Sequence, residues 1–155
     1  MFVVNDGQVE SGENVTVQVN DELANIIIIA SEEFDIDPTL IVAVMAHESR
    51  FDSNATSGAA SGIMQMNNTY FPYYAENNKR LIAELGGDYT DITDNAANVI
   101  AWGDSYSDWV DIYGDTMDSL KALRQGYKGA RWTTGACQNA EEFMEIKRQL
   151  EENIK

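Results

Sequence analysis

The sequence predicts a mainly α-helical single domain with minor or no β-structure, and three observations lead there. Its apolar residues recur mostly at three- and four-residue spacing, the period of a helix with one buried face. Asparagine, aspartate or proline precedes several of these runs and glycine follows them, as helix caps and stops do. One stretch, Val15, Val17 and Val19 interleaved with Thr16 and Gln18, alternates with the period of a strand. At 155 residues and 44% hydrophobic content the chain supports one substantial core. Two prolines and 11 glycines leave no linker rich in either that would divide it.

Taken in order, residues 1–20 read as an N-terminal extension or strand-like segment and residues 21–155 as the folded domain. A first helix over 21–34 carries Leu23, Ile26, Ile27 and Ala30 on its inner face. In the second, over 38–50, Asp37 serves as N-cap and Pro38 occupies the first turn, where its missing N–H is not needed. Residues 52–66 turn to Ser, Asn, Gly and Ala, an extended loop that passes close to other structure. Tyr70, Phe71, Tyr73 and Tyr74 fall in a short helix or turn, and a helix over 77–85 stops at Gly86-Gly87. A longer helix over 93–113 begins near Asp94, presents Val99, Trp102, Tyr106, Trp109 and Val110, and ends at Gly114. The helix over 117–127 turns Leu120 and Leu123 inward. After a loop through Trp132 and Gly135, a last helix starts at Glu141, with Asn139 and Glu142 as a capping box and Phe143, Ile146 and Leu150 as its stripe. The total is six or seven helices.

Charge and rare residues narrow the function. A net charge of −16 argues against binding nucleic-acid phosphates or anionic membranes. The longest apolar run, 26–30, is too short to cross a bilayer, and no segment has the pattern of a signal peptide. Cys137 stands alone, so no internal disulfide or cysteine metal cluster forms. His47 is the single histidine, which excludes zinc sites built from several. A Cys137–His47 dyad lacks any nucleophile motif around the cysteine. Asp88, Asp91 and Asp94 lack the glycine and terminal glutamate of a calcium loop and read as the solvated start of a helix. No metal and no cofactor is expected.

Glu48 is the candidate catalytic group. Counting back three, four and seven residues reaches Met45, Val44 and Ile41, so Glu48 falls on the apolar face of its helix. A carboxylate there is costly unless paired or neutralised. Desolvation of that kind favours the protonated form that a general acid requires. The alternative is a side chain that bends out to solvent at the helix end.

Ala46-His47-Glu48-Ser49-Arg50-Phe51-Asp52-Ser53-Asn54-Ala55 is followed by Gly62-Ile63-Met64-Gln65, whose glutamine lies 17 residues after Glu48, and later by Gly126-Tyr127-Lys128-Gly129-Ala130. In order, these segments resemble the Glu-Ser-x-Phe-x-x-x-Ala, Gly-Leu-Met-Gln and Ala-Tyr-Asn-Ala-Gly motifs of the lytic transglycosylase family (the soluble-lytic-transglycosylase-like domain) of the lysozyme superfamily. Residues 94–106 are similar to its Asn-Ile-x-x-Gly-x-x-Tyr helix. The resemblance spans roughly residues 21–132. There are departures: Lys128 replaces the motif asparagine, Gly129-Ala130 reverses the usual order, and Asn98 is one residue too far from Gly103. Asn67 stands where the neighbouring goose-type lysozymes carry an aspartate.

The resemblance implies a lysozyme-like single domain with a substrate cleft, acting as a monomer on peptidoglycan glycan strands. It implies cleavage of the β-1,4 bond between N-acetylmuramic acid and N-acetylglucosamine, with Glu48 as acid and then base, leaving 1,6-anhydromuramic ends. By the same resemblance Ser49 orients substrate or acid, Gln65 and the adjoining backbone line the cleft, and Tyr127 donates a hydrogen bond to Glu48; Met64 is a candidate for the substrate site, as wall or core more than chemistry. Tyr73, Tyr74 and Trp132 are candidates to stack on sugar faces. Asp52, four residues past Glu48, reads as a turn residue. The expected location is extracellular or at the cell wall, by secretion or phage delivery. The alternatives are a hydrolytic muramidase and a catalytically dead sugar-binding or structural domain of a phage tail or secretion apparatus.

Overall fold

The computed structural model describes residues 19–153. Within them lie α1 (Asp21–Phe34), α2 (Pro38–Ser49), β1 (Ala60–Ser61), β2 (Met66–Asn67), α3 (Phe71–Asn77), α4 (Lys79–Glu84), α5 (Asn95–Tyr113), α6 (Thr116–Gln125) and α7 (Thr134–Asn153). The mainly helical expectation holds, with β-structure limited to one antiparallel two-residue pair, Ala60 opposite Asn67 and Ser61 opposite Met66. Of the alternating valines, Val15 and Val17 lie outside the described residues, while Val19 is buried.

The first two helices start where their caps place them. Asn20 Oδ1 accepts from the Leu23 amide at 2.8 Å, and Asp37 Oδ1 from the Thr39 amide at 2.9 Å, with Pro38 in the first turn. On α1 the buried residues are Leu23, Ile26, Ile27 and Ala30, the predicted face. α2 differs from its predicted one-sided stripe: every residue from Thr39 to Ala46 is buried. A helix apolar all round belongs inside the core, and α2 runs there between α1 and α7. Each fully buried Ile or Met side chain contributes about 1.5–3 kcal/mol relative to exposure.

α5 is the second central helix, buried from Ala96 through Gly103 and packed on α1, α3 and α6. Its crossing with α1 depends on Gly103, where a Cβ would stand 2.6 Å from the Phe34 ring. α6 ends at Gln125, two residues before the predicted end, because Gly126 turns away at φ 87°. The largest boundary correction is α7, which begins at Thr134. Thr133 Oγ1 accepts from the Ala136 amide at 3.2 Å and acts as the cap, so Asn139 lies inside the helix and the predicted box is not used. Buried Ala136 and Ala140 extend the Phe143–Ile146–Leu150 stripe toward the N-terminus. α7 runs antiparallel to α2, pairing Glu142 with His47 at one end and Lys147 with Asp37 at the other.

Candidate active site

Where α2 leaves the core, its last turn carries His47, Glu48 and Ser49. Glu48 is half-buried, its side chain 22% exposed. It is thus neither enclosed in the core nor turned fully into water. Immediately beyond, Arg50 and Phe51 both adopt left-handed backbone, φ 52° and 63°. Non-glycine residues in that region cost on the order of 1–3 kcal/mol each and persist only where their surroundings hold them. Gln65, at φ 51°, is a third. Three of the four such residues in the described chain therefore flank Glu48 or the loop that follows it.

That loop, Gly62-Ile63-Met64-Gln65, is anchored from both central helices. Ser49 Oγ donates to the Ile63 carbonyl at 2.6 Å, tying it to α2 beside Glu48. From α5, the fully buried Asn98 donates through Nδ2 to the Ser61 and Ile92 carbonyls at 2.9 and 2.8 Å. Asn98 Oδ1 accepts from the Met64 amide at 2.8 Å. Gly62 lies so close to Asn98 that a Cβ would stand 2.2 Å from Nδ2, and its φ is 86°. Gln65 Nε2 donates to the Ala55 and Gly62 carbonyls, both at 2.9 Å, which commits both amide hydrogens to the loop. The backbone polar groups of a buried loop must find partners; here side chains supply them.

On the other side of Glu48, His47 bridges two helices. Its Nε2 lies 2.6 Å from Glu142 Oε2 on α7, and its Nδ1 lies 3.6 Å from Glu48 Oε1. The Phe143 ring meets the imidazole edge-on at 4.8 Å. The adjacent Glu48 raises the imidazole pKa above its ordinary value, burial opposes it, and Glu142 adds to the rise.

The other sequence candidates divide. Met64 is 1% exposed and packs in the core, so its side chain is wall rather than a contact for ligand. Ser49 is likewise buried with its hydroxyl bonded to backbone, which makes it a tie between helix and loop and not a substrate contact. Asp52 caps a turn by accepting from the Asn54 amide at 2.9 Å. Tyr73 is 64% exposed, edge-on to Tyr74. Tyr74 donates to Asp108 Oδ2, and burial together with that carboxylate pushes its pKa up to about 12. Tyr127 does not bond Glu48: it is 71% exposed, with its ring edge-on to Trp109 at 5.0 Å. Trp132 is half-buried, donates Nε1 to Asp118 Oδ1 at 3.1 Å and meets Tyr113 at 5.2 Å. Trp109, Tyr113, Tyr127 and Trp132 thus form one aromatic group on the C-terminal half of α5. Trp109 lies eleven residues from Asn98, or about 16 Å along the helix.

Two residues enter the sequence reading in other roles, Asn98 as a misfit to a helix motif and Glu142 in a capping box, and the structure brings both to the site. A signal exists for the first: an asparagine inside the apolar run 96–101 has to satisfy its amide internally. Nothing local marks Glu142, whose partner is 95 residues away. Asp88 and Asp91 accept from Thr90 and Thr93 in their own turns, and Asp94 caps α5. Among the described residues no group of three or more His, Cys, Asp or Glu side chains converges as a metal site would.

Residues 25–132 match the family described as Transglycosylase SLT domain. Among curated proteins no sequence matches the chain. Glu48, the 62–65 loop, Asn98 and Tyr127 fall inside the matched span, whereas Glu142 falls beyond it.

Proposed function

Because this chain belongs to the Transglycosylase SLT domain family, lysozyme-like domains of peptidoglycan lytic transglycosylases, we propose that Glu48 cleaves the glycan as general acid and then base. Glu48 gives its proton to the oxygen between N-acetylmuramic acid and N-acetylglucosamine. The C1–O bond breaks, and its electron pair leaves with that oxygen. The muramic acetamide stabilises the positive charge left at C1, as such oxocarbenium-like centres require. The C6 hydroxyl of the same sugar then bonds C1, and the Glu48 carboxylate takes the hydroxyl proton. No water is consumed, one carboxylate serves both steps, and the product ends in a 1,6-anhydro ring.

The observation that carries this reading is the placement of Glu48. It stands at the exit of an otherwise enclosed helix, exposed enough for a sugar to reach, beside a loop held by Ser49 and Asn98. General acids work when fixed within hydrogen-bond reach of the leaving oxygen. We assign the Tyr73, Tyr127 and Trp132 rings to the glycan, with Gln65 shaping the cleft through the loop that its amide holds. Asn67 favours the intramolecular route over hydrolysis. Its Oδ1 accepts from the Thr69 amide at 2.8 Å, and an amide is no base for water. Such a substrate places the protein at the cell wall, reached by secretion or phage delivery, and one copy suffices for the chemistry.

Glu48→Gln keeps the shape and removes the acid, so clearing of a peptidoglycan suspension is expected to fall at least about 10²-fold with folding unchanged. Equal clearing by variant and wild type ends the assignment. Mass spectrometry then separates the routes, since anhydro ends are one water lighter than hydrolysed ones. A second reading, a sugar-binding or structural domain without turnover, is favoured by the absence of the Tyr127 contact to Glu48. It predicts glycan binding with no bond cleavage in the wild type.

A further inference from the structure

Glu142 Oε2, 2.6 Å from His47 Nε2, settles which ring nitrogen carries hydrogen when the imidazole is neutral. The Nε2–H points at the carboxylate, and Nδ1 is left as a lone-pair acceptor. Nδ1 is shielded from solvent, has no hydrogen-bond partner, and lies 3.6 Å from Glu48 Oε1. A shift of about 0.8 Å brings that oxygen to hydrogen-bond distance. The Phe143 edge holds the ring on its apolar side. We propose that His47, with its tautomer fixed by Glu142, is a positioning residue whose bare Nδ1 accepts the Glu48 carboxyl O–H, so that the two side chains share the working proton.

The proposal rests on Glu48 being the acid. In one arrangement the proton sits on Glu48, whose O–H donates to Nδ1. In the other it sits on Nδ1, and the imidazolium lies between two carboxylates. Both hold the same number of protons, so ionisation belongs to the pair and not to either residue. The charged groups that face the imidazole are Glu48 on its own helix and Glu142 on α7, and both favour retaining the proton. As pH rises through the raised value, the pair loses that proton and cleavage stops. Below it the pair holds one proton, and cleavage proceeds from the arrangement in which Glu48 carries it. α7 extends beyond the matched family span, so this chain supplies the second carboxylate from outside it.

His47 is the single histidine, so its imidazole resonance can be followed by NMR without ambiguity. Its titration midpoint in the wild type is expected above the ordinary value and lower in both Glu48→Gln and Glu142→Gln. In kinetics, His47→Gln should move the alkaline limb of kcat/KM to lower pH. We expect at least a roughly tenfold loss near pH 8 and a plateau near pH 5 within about threefold of wild type. Glu142→Gln should move the limb the same way by less. An equal loss at every pH in His47→Gln marks a purely structural role and overturns the proposal. So does an imidazole midpoint unmoved by Glu48→Gln, even where that variant has lost turnover and the acid assignment stands. Full turnover in Glu48→Gln removes the acid itself, and the shared proton with it.

Discussion

The surroundings of Glu48 and the aromatic group at the far half of α5 are built on opposite principles. Around Glu48 the side chains are spent on the protein: Ser49 on the Ile63 carbonyl, Asn98 on three backbone groups, and the Gln65 amide on two carbonyls. Left-handed backbone recurs beside those bonds, at 50, 51 and 65. The aromatic group instead shows its surface: Tyr127 is 71% exposed and meets Trp109 edge-on, with Lys128 Nζ 6.0 Å above Trp132. The difference follows from what each is asked to do. A proton donor must be fixed to within a fraction of an ångström, whereas a sugar-stacking surface needs only flat apolar area open to solvent.

If that contrast is right, disturbing the anchored side removes rate and stability together, and disturbing the aromatic side touches binding alone. The largest effect is expected at Gly62→Ala. Its methyl group would overlap Asn98 at a φ that L-residues avoid, shifting the loop and lowering turnover about 10²-fold. Overpacking of this kind also costs about 1–3 kcal/mol, read as a lower melting temperature. A variant with wild-type turnover would show that the loop does not position the chemistry. Asn98→Ala strips the partner from the buried Met64 amide and from two part-buried carbonyls. Destabilisation of about 3 kcal/mol is expected, lowering Tm by roughly 6–12 °C; a shift of a degree or two contradicts the anchoring role.

Tyr127→Ala sits at the other pole. Its Tm should stay within about 2 °C of wild type while KM for glycan chains rises several-fold at unchanged kcat. A fall in kcat instead points to a direct role at Glu48 and dissolves the contrast. The smallest effect is ionic. At net charge −16, repulsion from anionic wall polymers weakens as salt shortens the Debye length to about 8 Å at 0.15 M. Activity on whole walls should therefore rise modestly from low to moderate salt, and a flat profile speaks against that repulsion.

What was legible followed from local rules. α1 spans the residues its stripe predicts, and Asp37-Pro38 marks the start of α2. Helix spacing singled out Glu48 as a carboxylate among apolar residues, composition marked 52–66 as a loop, and the family resemblance picked out Gly62–Gln65 within it. The start of α7 was misplaced because two capping signals, Thr133 and Asn139, compete within six residues. Only burial of Ala136 and Ala140 decides between them. The place of Ser49 in a motif points it toward the substrate, and the fold turns it inward; Met64 is buried as wall and core.

By itself the chain determined its helices and singled out Glu48 as the candidate acid, since periodicity, caps and an out-of-place charge act over a few neighbouring residues. Tertiary structure alone decided that Asn98 pins the loop, that Tyr127 turns toward Trp109, and that His47 lies between Glu48 and Glu142. Those partnerships join residues 34, 18 and 95 positions apart. No local preference encodes them; they exist only once packing has brought the helices side by side.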